Sequence, residues 1–228
     1  MFIGVGTPIP VIANLPGPSR PGGGGGGGAF EYTAIDNSFS MEFDGTAYYT
    51  AGNPVELQMT GDFTITGWLK CTGSTYKRVV SKDDGTNRSY YVQVQNTGVL
   101  SGGVFTGGTN QVNTSSFTVN DGDWHFFAFI FEQGTGTKVY VDNNASPSED
   151  LFGGSIDNDP ADFEIGRKGN NTNLFIGHID EVAVWKDVIL SEETIQAIYD
   201  TTINNPGKVA DLSETPEGVP TAWYRMGD

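Results

Sequence analysis

The chain has 228 residues, 28 of them acidic and 12 basic, for a formal net charge of −16. That balance excludes nucleic acid and anionic membrane as partners, because phosphate contacts need clustered Lys and Arg. Hydrophobic residues at 37% and aromatics at 12% suffice for a folded core, in one all-β domain or in a domain with an appendage.

Residues 1–21 are apolar and proline-rich. Phe2, Ile3, Val5, Ile9, Val11, Ile12 and Leu15 lie among Pro8, Pro10, Pro16, Pro18 and Pro21. Prolines at this density forbid a helix and favour an extended arm. The arm has no positively charged start, and Pro8 and Pro10 interrupt its apolar run, so it does not read as a signal peptide. No stretch reaches the ~18–20 apolar residues of a transmembrane helix, so no membrane insertion is expected. Such a strip cannot bury its side chains alone, and those seven residues are expected to anchor it on another surface. The glycine run 22–28 follows. As a tether it spans roughly 15 Å root-mean-square and at most about 25 Å. A flexible tail without a role is the alternative.

Residues 29–228 read as the globular body. "FTITGWL" alternates Phe63, Ile65 and Leu69 against Thr64, Thr66 and Trp68. "YYVQVQ" sets Tyr90, Val92 and Val94 against Tyr91, Gln93 and Gln95. "WHFFAFIF" is apolar on both faces, the pattern of a central strand covered on both sides. "KVYVDNN" predicts a strand entering an Asx turn at Asp142–Asn143–Asn144, and "IGHIDEVAVW" and "TAWYRM" predict two more strands. Only "SEETIQAIYD" reads as helix, with Ser191 as N-cap, Glu192 and Glu193 in the first turn, and Ile195, Ile198 and Tyr199 at helical spacing. Many short strands and one short helix near the C-terminus predict an all-β, antiparallel jelly-roll sandwich with an extended N-terminal arm. The single cysteine, Cys71, excludes an internal disulfide, reads as a small strand residue, and fits synthesis in a reducing compartment.

Five segments in order resemble the laminin-G type of the concanavalin A-like lectin/glucanase domains. They are "SMEFDGTAYYT", "DFTITGWLK", "DGDWHFFAFIFEQGTGTKVYVDN", "EIGRKGNNTNLFIGHIDEVAVWKDVILSEETIQAIY" and "WYRMGD". The resemblance implies that fold, which hosts lectins, pentraxins, glycanases, adhesion modules and virion proteins alike. The leader "PGPSRPGGGGGG" joined to such a domain resembles the leaders of marine bacteriophage structural proteins. The expectation is a non-enzymatic virion protein displayed on a capsid, tail or fibre. Its expected partners are other virion proteins, copies of itself and host surface glycans. A stand-alone carbohydrate-binding module is the alternative.

The candidate chemistry is sparse. A retaining glycanase needs two carboxylates about 5–5.5 Å apart. Asp180 and Glu181 are adjacent, hence expected on opposite faces of their strand, and Val-Ala-Val-Trp follows. Hydrolysis is therefore not expected. Two histidines, His125 and His178, without a Gly-x-Ser-x-Gly sequence give no nucleophilic site. The glycine run lacks the following Lys-Ser/Thr and helix of a phosphate loop. The laminin-G resemblance implies loop carboxylates for Ca²⁺. "DNDPAD", with Asp157, Asp159 and Asp162, is the better candidate, and "SKDDGTN", with Asp83, Asp84 and Asn87, the weaker. Solvated turns are the alternative at both. For a glycan the Asn-rich stretches "GGTNQVN", "GRKGNNTN" and "NNAS" stand out, with Tyr48, Tyr49 or Tyr76 able to stack on a sugar. No glycan-binding residue is assigned.

Overall fold

The computed structural model describes residues 30–143 and 147–226. The expected anchor from Phe2 to Leu15 and the glycine run lie outside the described residues. The first eight strands are β1 (Ala34–Asp36), β2 (Met41–Asp44), β3 (Tyr49–Gly52), β4 (Phe63–Thr72), β5 (Lys77–Asp83), β6 (Arg88–Val94), β7 (Val99–Thr106) and β8 (Thr109–Thr118). Then come β9 (Asp121–Glu132), β10 (Gly136–Val141), β11 (Ser148–Leu151), β12 (Phe163–Ile165) and β13 (Ile176–Lys186). Helix α1 (Glu192–Asn204), β14 (Lys208–Ala210) and β15 (Ala222–Tyr224) follow.

All pairings between strands are antiparallel. One sheet runs β11-β10-β9-β4-β13, with β2 and β15 sharing the far side of β13. The facing sheet runs β3-β12-β5-β6-β7-β8, and β1 pairs with β14 separately. This is the expected β-sandwich.

The alternations read from the sequence sort into two cores. Between the sheets lie Phe63, Ile65 and Leu69, then Phe127, Phe129 and Phe131, facing Tyr90, Val92 and Val94. On the other side of the seven-stranded sheet, Trp68, Trp124, Phe126, Ala128 and Ile130 pack with Trp185, Ile195, Ile198, Ala210 and Leu212. Strand β9 is apolar on both faces because α1 and the β1–β14 pair cover the second one. Each fully buried large side chain contributes roughly 1.5–3 kcal/mol to that cover.

The helix starts where the sequence places it. The Ser191 hydroxyl accepts the Thr194 N–H at 3.2 Å. It continues to Asn204, a turn past the predicted segment, and Pro206 follows its C-cap Asn205. Cys71 sits buried in β4, its thiol donating to the Val119 carbonyl at 3.4 Å, and burial pushes its pKa up to about 11.

Asp142 stands in the turn that ends β10, and the expected Asx turn through Asn144 reaches outside the described residues. Asp142 takes a left-handed φ of 52°, and its carboxylate turns back to β9. There Oδ1 accepts the Phe126 N–H at 2.8 Å and Oδ2 lies 2.7 Å from His125 Nδ1, while His125 Nε2 meets Asp121 at 3.0 Å. Burial alone would lower the His125 pKa, but the two aspartates raise it to about 9. The ring is thus a clip between two strand ends.

One expectation is corrected, that Asp180 and Glu181 lie on opposite faces of their strand. Their strand is bulged there, Glu181 has φ 51°, and both Ile179 and Val182 face the inter-sheet core. The extra residue breaks the alternation. Asp180 is opposite Trp68, on the helix-covered face, and Glu181 borders a small cavity on that same face together with Trp68, Phe126 and Ile198. The bulge falls where β13 exchanges β2, paired at 176–179, for β15, paired at 182–184. Asp180 closes the gap: its carboxylate accepts from Asn37 Nδ2 at 3.0 Å and from Met226 N at 3.2 Å. Glu181 accepts from Trp223 Nε1 at 2.6 Å and Arg225 Nε at 3.3 Å.

Burial, and then the Asp180 charge, push the Glu181 carboxyl up from 4.5 to about 8. The folded state therefore keeps a proton that the unfolded chain releases, and stability falls as pH rises from about 4.5 through about 8. Glu181→Gln is neutral throughout. Between pH 5 and 8.5 it is expected to lose less stability than the parent chain, by on the order of 4 kcal/mol, in urea unfolding. Parallel declines in the two proteins would remove this role.

Candidate functional site

The outward positions of the central strands of the six-stranded sheet are polar. Glu164 of β12 lies opposite Ser81 of β5, Ser81 opposite Tyr91 of β6, and Arg78 opposite Gln93. The Asn-rich loop 167–173 lies across this face, held at both ends by β5. The Arg78 N–H donates to the Asn173 carbonyl at 2.8 Å and the Gly169 N–H to the Asp83 carbonyl at 3.0 Å. Asn171 and Asn173 take φ of 60° and 50°. Asn tolerates that left-handed region better than most residues, so part of the loop's composition serves its turns.

Beneath the loop sits a charge cluster. The carboxylate of Asp83, 1% exposed, lies 3.0 Å from Arg78 Nη2, 3.4 Å from Lys168 Nζ and 3.9 Å from Arg88 Nε. The Arg78 guanidinium also lies 3.5 Å above the Tyr91 ring. One buried anion thus ties β5, the start of β6 and the loop together. Breaking such a centre by removing Asp83 would leave cations uncompensated.

On the loop's other side, Arg167 grips Glu164 with both arms of its fork, Nη2 to Oε1 at 2.6 Å and Nε to Oε2 at 3.1 Å. Its guanidinium lies 3.2 Å from the centre of the Tyr48 ring, and Tyr48 stays 41% exposed. Arg167 Nη1 also donates to Asn171 Oδ1 at 3.3 Å. The ring is therefore oriented by a fixed cation, which belongs to the loop that exposes Asn170, Asn171 and Thr172. The Thr172 hydroxyl donates to Asn170 Oδ1, and a flat ring held against such a loop can stack on the apolar face of a sugar while the exposed amides bond its hydroxyls.

Of the three tyrosines named from the sequence, Tyr48 is the one set beside the Asn-rich loop. Tyr49 packs edge-on against Tyr224 with ring centres 5.2 Å apart. Tyr76 is exposed in the turn before β5, two residues ahead of Arg78. The stretch "GGTNQVN" is not a loop. It is the Gly107–Gly108 turn and the first half of β8. Of "NNAS", only Asn143 is among the described residues.

In the acidic segment, Asp157 and Asp159 are engaged by the protein's own groups. The Asp157 carboxylate accepts the Gly107 and Gly108 N–H at 2.8 and 2.7 Å, and Asp159 Oδ2 accepts the Arg88 N–H at 3.0 Å. Lys82 Nζ donates to the carbonyls of Asp159 and Ala161, each at 2.8 Å. Burial pulls the Lys82 pKa down to about 8, against the attraction of Asp162 and Asp159. Asp162 itself is exposed. In the other stretch, Asp84 Oδ1 accepts from Thr86 and Asn87 N–H at 2.8 and 2.7 Å. Among the described residues, no group of three or more His, Cys, Asp or Glu is placed to hold a metal ion.

The sequence reading did not single out Arg78, Lys82, Arg88, Arg167 or Lys168. Their signal was available: five of the twelve basic residues of an acidic chain fall in two short stretches that the fold brings together. Lys82→Met leaves two buried carbonyls without a donor and is expected to cost about 1–3 kcal/mol, read as a lowered urea midpoint. An unchanged midpoint would show that the ammonium does not brace this segment.

A family model described as the concanavalin A-like lectin/glucanases superfamily matches residues 43–196. No curated protein matches the chain in sequence. Among solved structures, the heptameric SAP-like pentraxin from Limulus polyphemus aligns at TM-score 0.50 and 16% identity, over 68% of this chain and 78% of that one. The binding domain of Paraclostridial Mosquitocidal Protein 1 aligns at TM-score 0.59 and 14% identity, over 75% of this chain and 45% of that one. The mouse laminin alpha1 chain, domains LG4-5, aligns at TM-score 0.53 and 14% identity, over 67% of this chain and 41% of that one. The chain aligns to less than half the length of the last two. At these identities the likeness is one of fold.

Proposed function

The chain belongs to the concanavalin A-like lectin/glucanases superfamily, and from that premise we propose that it is a non-enzymatic glycan-binding domain. The observation that carries this reading is the Tyr48 ring, fixed against Arg167 at the start of a loop whose Asn170, Asn171 and Thr172 are exposed. Binding rather than hydrolysis is supported by the acid pair. Asp180 and Glu181 are buried and engaged by Asn37, Met226, Trp223 and Arg225. In the same proposal the leader 1–28 tethers the domain to a larger assembly. A virus particle is the setting that the leader's composition favours, with host surface glycans as the ligand.

A glycan array with the full chain tests the first part. The parent protein is expected to retain one glycan class without releasing reducing sugar. Tyr48→Ala is expected to weaken that binding at least about tenfold, or about 1.4 kcal/mol, while urea unfolding stays unchanged. Equal binding by the variant, or no glycan retained by the parent, would overturn the site. For the second part, an antibody to the domain should label intact particles on grids, and unlabelled particles would remove the virion setting.

A further inference from the structure

The charge cluster beneath loop 167–173 holds a buried guanidinium that its neighbours bond only in part. Arg78 Nη2 donates to Asp83 at 3.0 Å, and the Tyr91 ring lies 3.5 Å from the guanidinium carbon. Among the described residues, no acceptor meets its Nε or its Nη1. Buried N–H groups are nearly always paired, with protein, with ordered water or with an ion. Two unpaired donors on a buried cation are the costly case, because burial already disfavours the charge. Burial pulls the Arg78 pKa below its usual value, although Tyr91 and Asp83 oppose the shift.

The surroundings decide which kind of acceptor fits. Lys168 Nζ and Arg88 Nε lie 3.4 and 3.9 Å from the same Asp83 carboxylate. Three cations thus share one anion, which also accepts the Gly85 N–H at 2.8 Å. The other nearby carboxylates are turned to different donors. Asp84, which acts on Lys168 at longer range, accepts from the Thr86 and Asn87 N–H groups and from Asn87 Nδ2. Asp159 accepts the Arg88 main-chain N–H, and Glu164 is held by Arg167. Among the described residues, none of these three carboxylates forms an ion pair with Arg78, Arg88 or Lys168.

The cluster also opens to solvent. Its side chains grade from exposed to buried, at 43% for Arg88, 16% for Lys168 and 6% for Arg78. An anion arriving from solvent meets Arg88 first, and the unpaired donors of Arg78 lie deepest. Charge-assisted hydrogen bonds from guanidinium and ammonium groups suit a carboxylate or a phosphate equally.

We propose that Arg78, Arg88 and Lys168 form an oxyanion site, in which a carboxylate or phosphate enters beside Arg88 and accepts hydrogen bonds from Lys168 and from Nε and Nη1 of Arg78. The inference goes beyond the glycan reading and uses neither Tyr48 nor Arg167.

Titration of the isotope-labelled full chain at constant ionic strength tests it, read on the arginine side-chain Nε–H signals. The Arg78 signal is identified by its loss in Arg78→Lys. Inorganic phosphate and glucuronate stand for the two sources, a free anion and the acid group of a sugar. At least one is expected to move the Arg78 signal saturably, and the tighter of the two names the source. Lys168→Gln leaves Asp83 with two cations and is expected to weaken that binding about tenfold. Should this variant misfold, Arg88→Gln, at the more exposed position, carries the same expectation, and should both misfold the parent titration decides. An Arg78 signal unmoved by both anions, a shift that neutral glucose reproduces, or full affinity in a folded variant would overturn the proposal.

Discussion

The seven-stranded sheet is apolar on both faces, and the remaining architecture follows from covering it. Strand β9 carries Phe127, Phe129 and Phe131 toward one core and Trp124, Phe126 and Ile130 toward the other. Neither set can face water without losing the main driving force for folding. The six-stranded sheet covers the first face, and α1 with the β1–β14 pair covers the second. One sheet is therefore central and committed to stability. The other has a polar outer face, on which a loop can be held.

That outer face is organised by charge. Asp83 gathers Arg78, Arg88 and Lys168, and Glu164 holds Arg167. These contacts fix loop 167–173 against β5 and set the orientation of Tyr48. The same region absorbs the acidic segment 157–162, where the Lys82 ammonium is enclosed by main-chain carbonyls. A strongly acidic protein has thus placed much of its positive charge inside one loop cluster, where it braces local structure.

The strand faces and the helix start were legible in the sequence because they depend on periodicity and a cap, both local properties. "FTITGWL" and "WHFFAFIF" sort their side chains as their alternation requires, and Ser191 caps α1. What was not legible depends on contacts between distant segments. The bulge at Asp180–Glu181 exists because β13 changes partner there, which no property of the local sequence announces. "GGTNQVN" looked like a loop from its Gly and Asn content, yet two glycines suffice for the turn and the rest is strand. The aspartates of "DNDPAD" look alike in the sequence, but the carboxylates of Asp157 and Asp159 accept main-chain N–H groups of residues 88, 107 and 108, while Asp162 is exposed. Tyr48 was named as one of three tyrosines, and its pairing with Arg167 decided among them.

The central claim is that the outer-face loop cluster, rather than the acid pair in the sheet, is the working surface. The most direct measurement is a two-dimensional amide spectrum of the isotope-labelled full chain during titration with oligosaccharides of the class it retains. The account predicts shifts confined to Tyr48 and residues 167–173, with the amides of Asp180 and Glu181 unmoved. Shifts centred on Asp180, Glu181 and Trp223, with the loop unmoved, would contradict it.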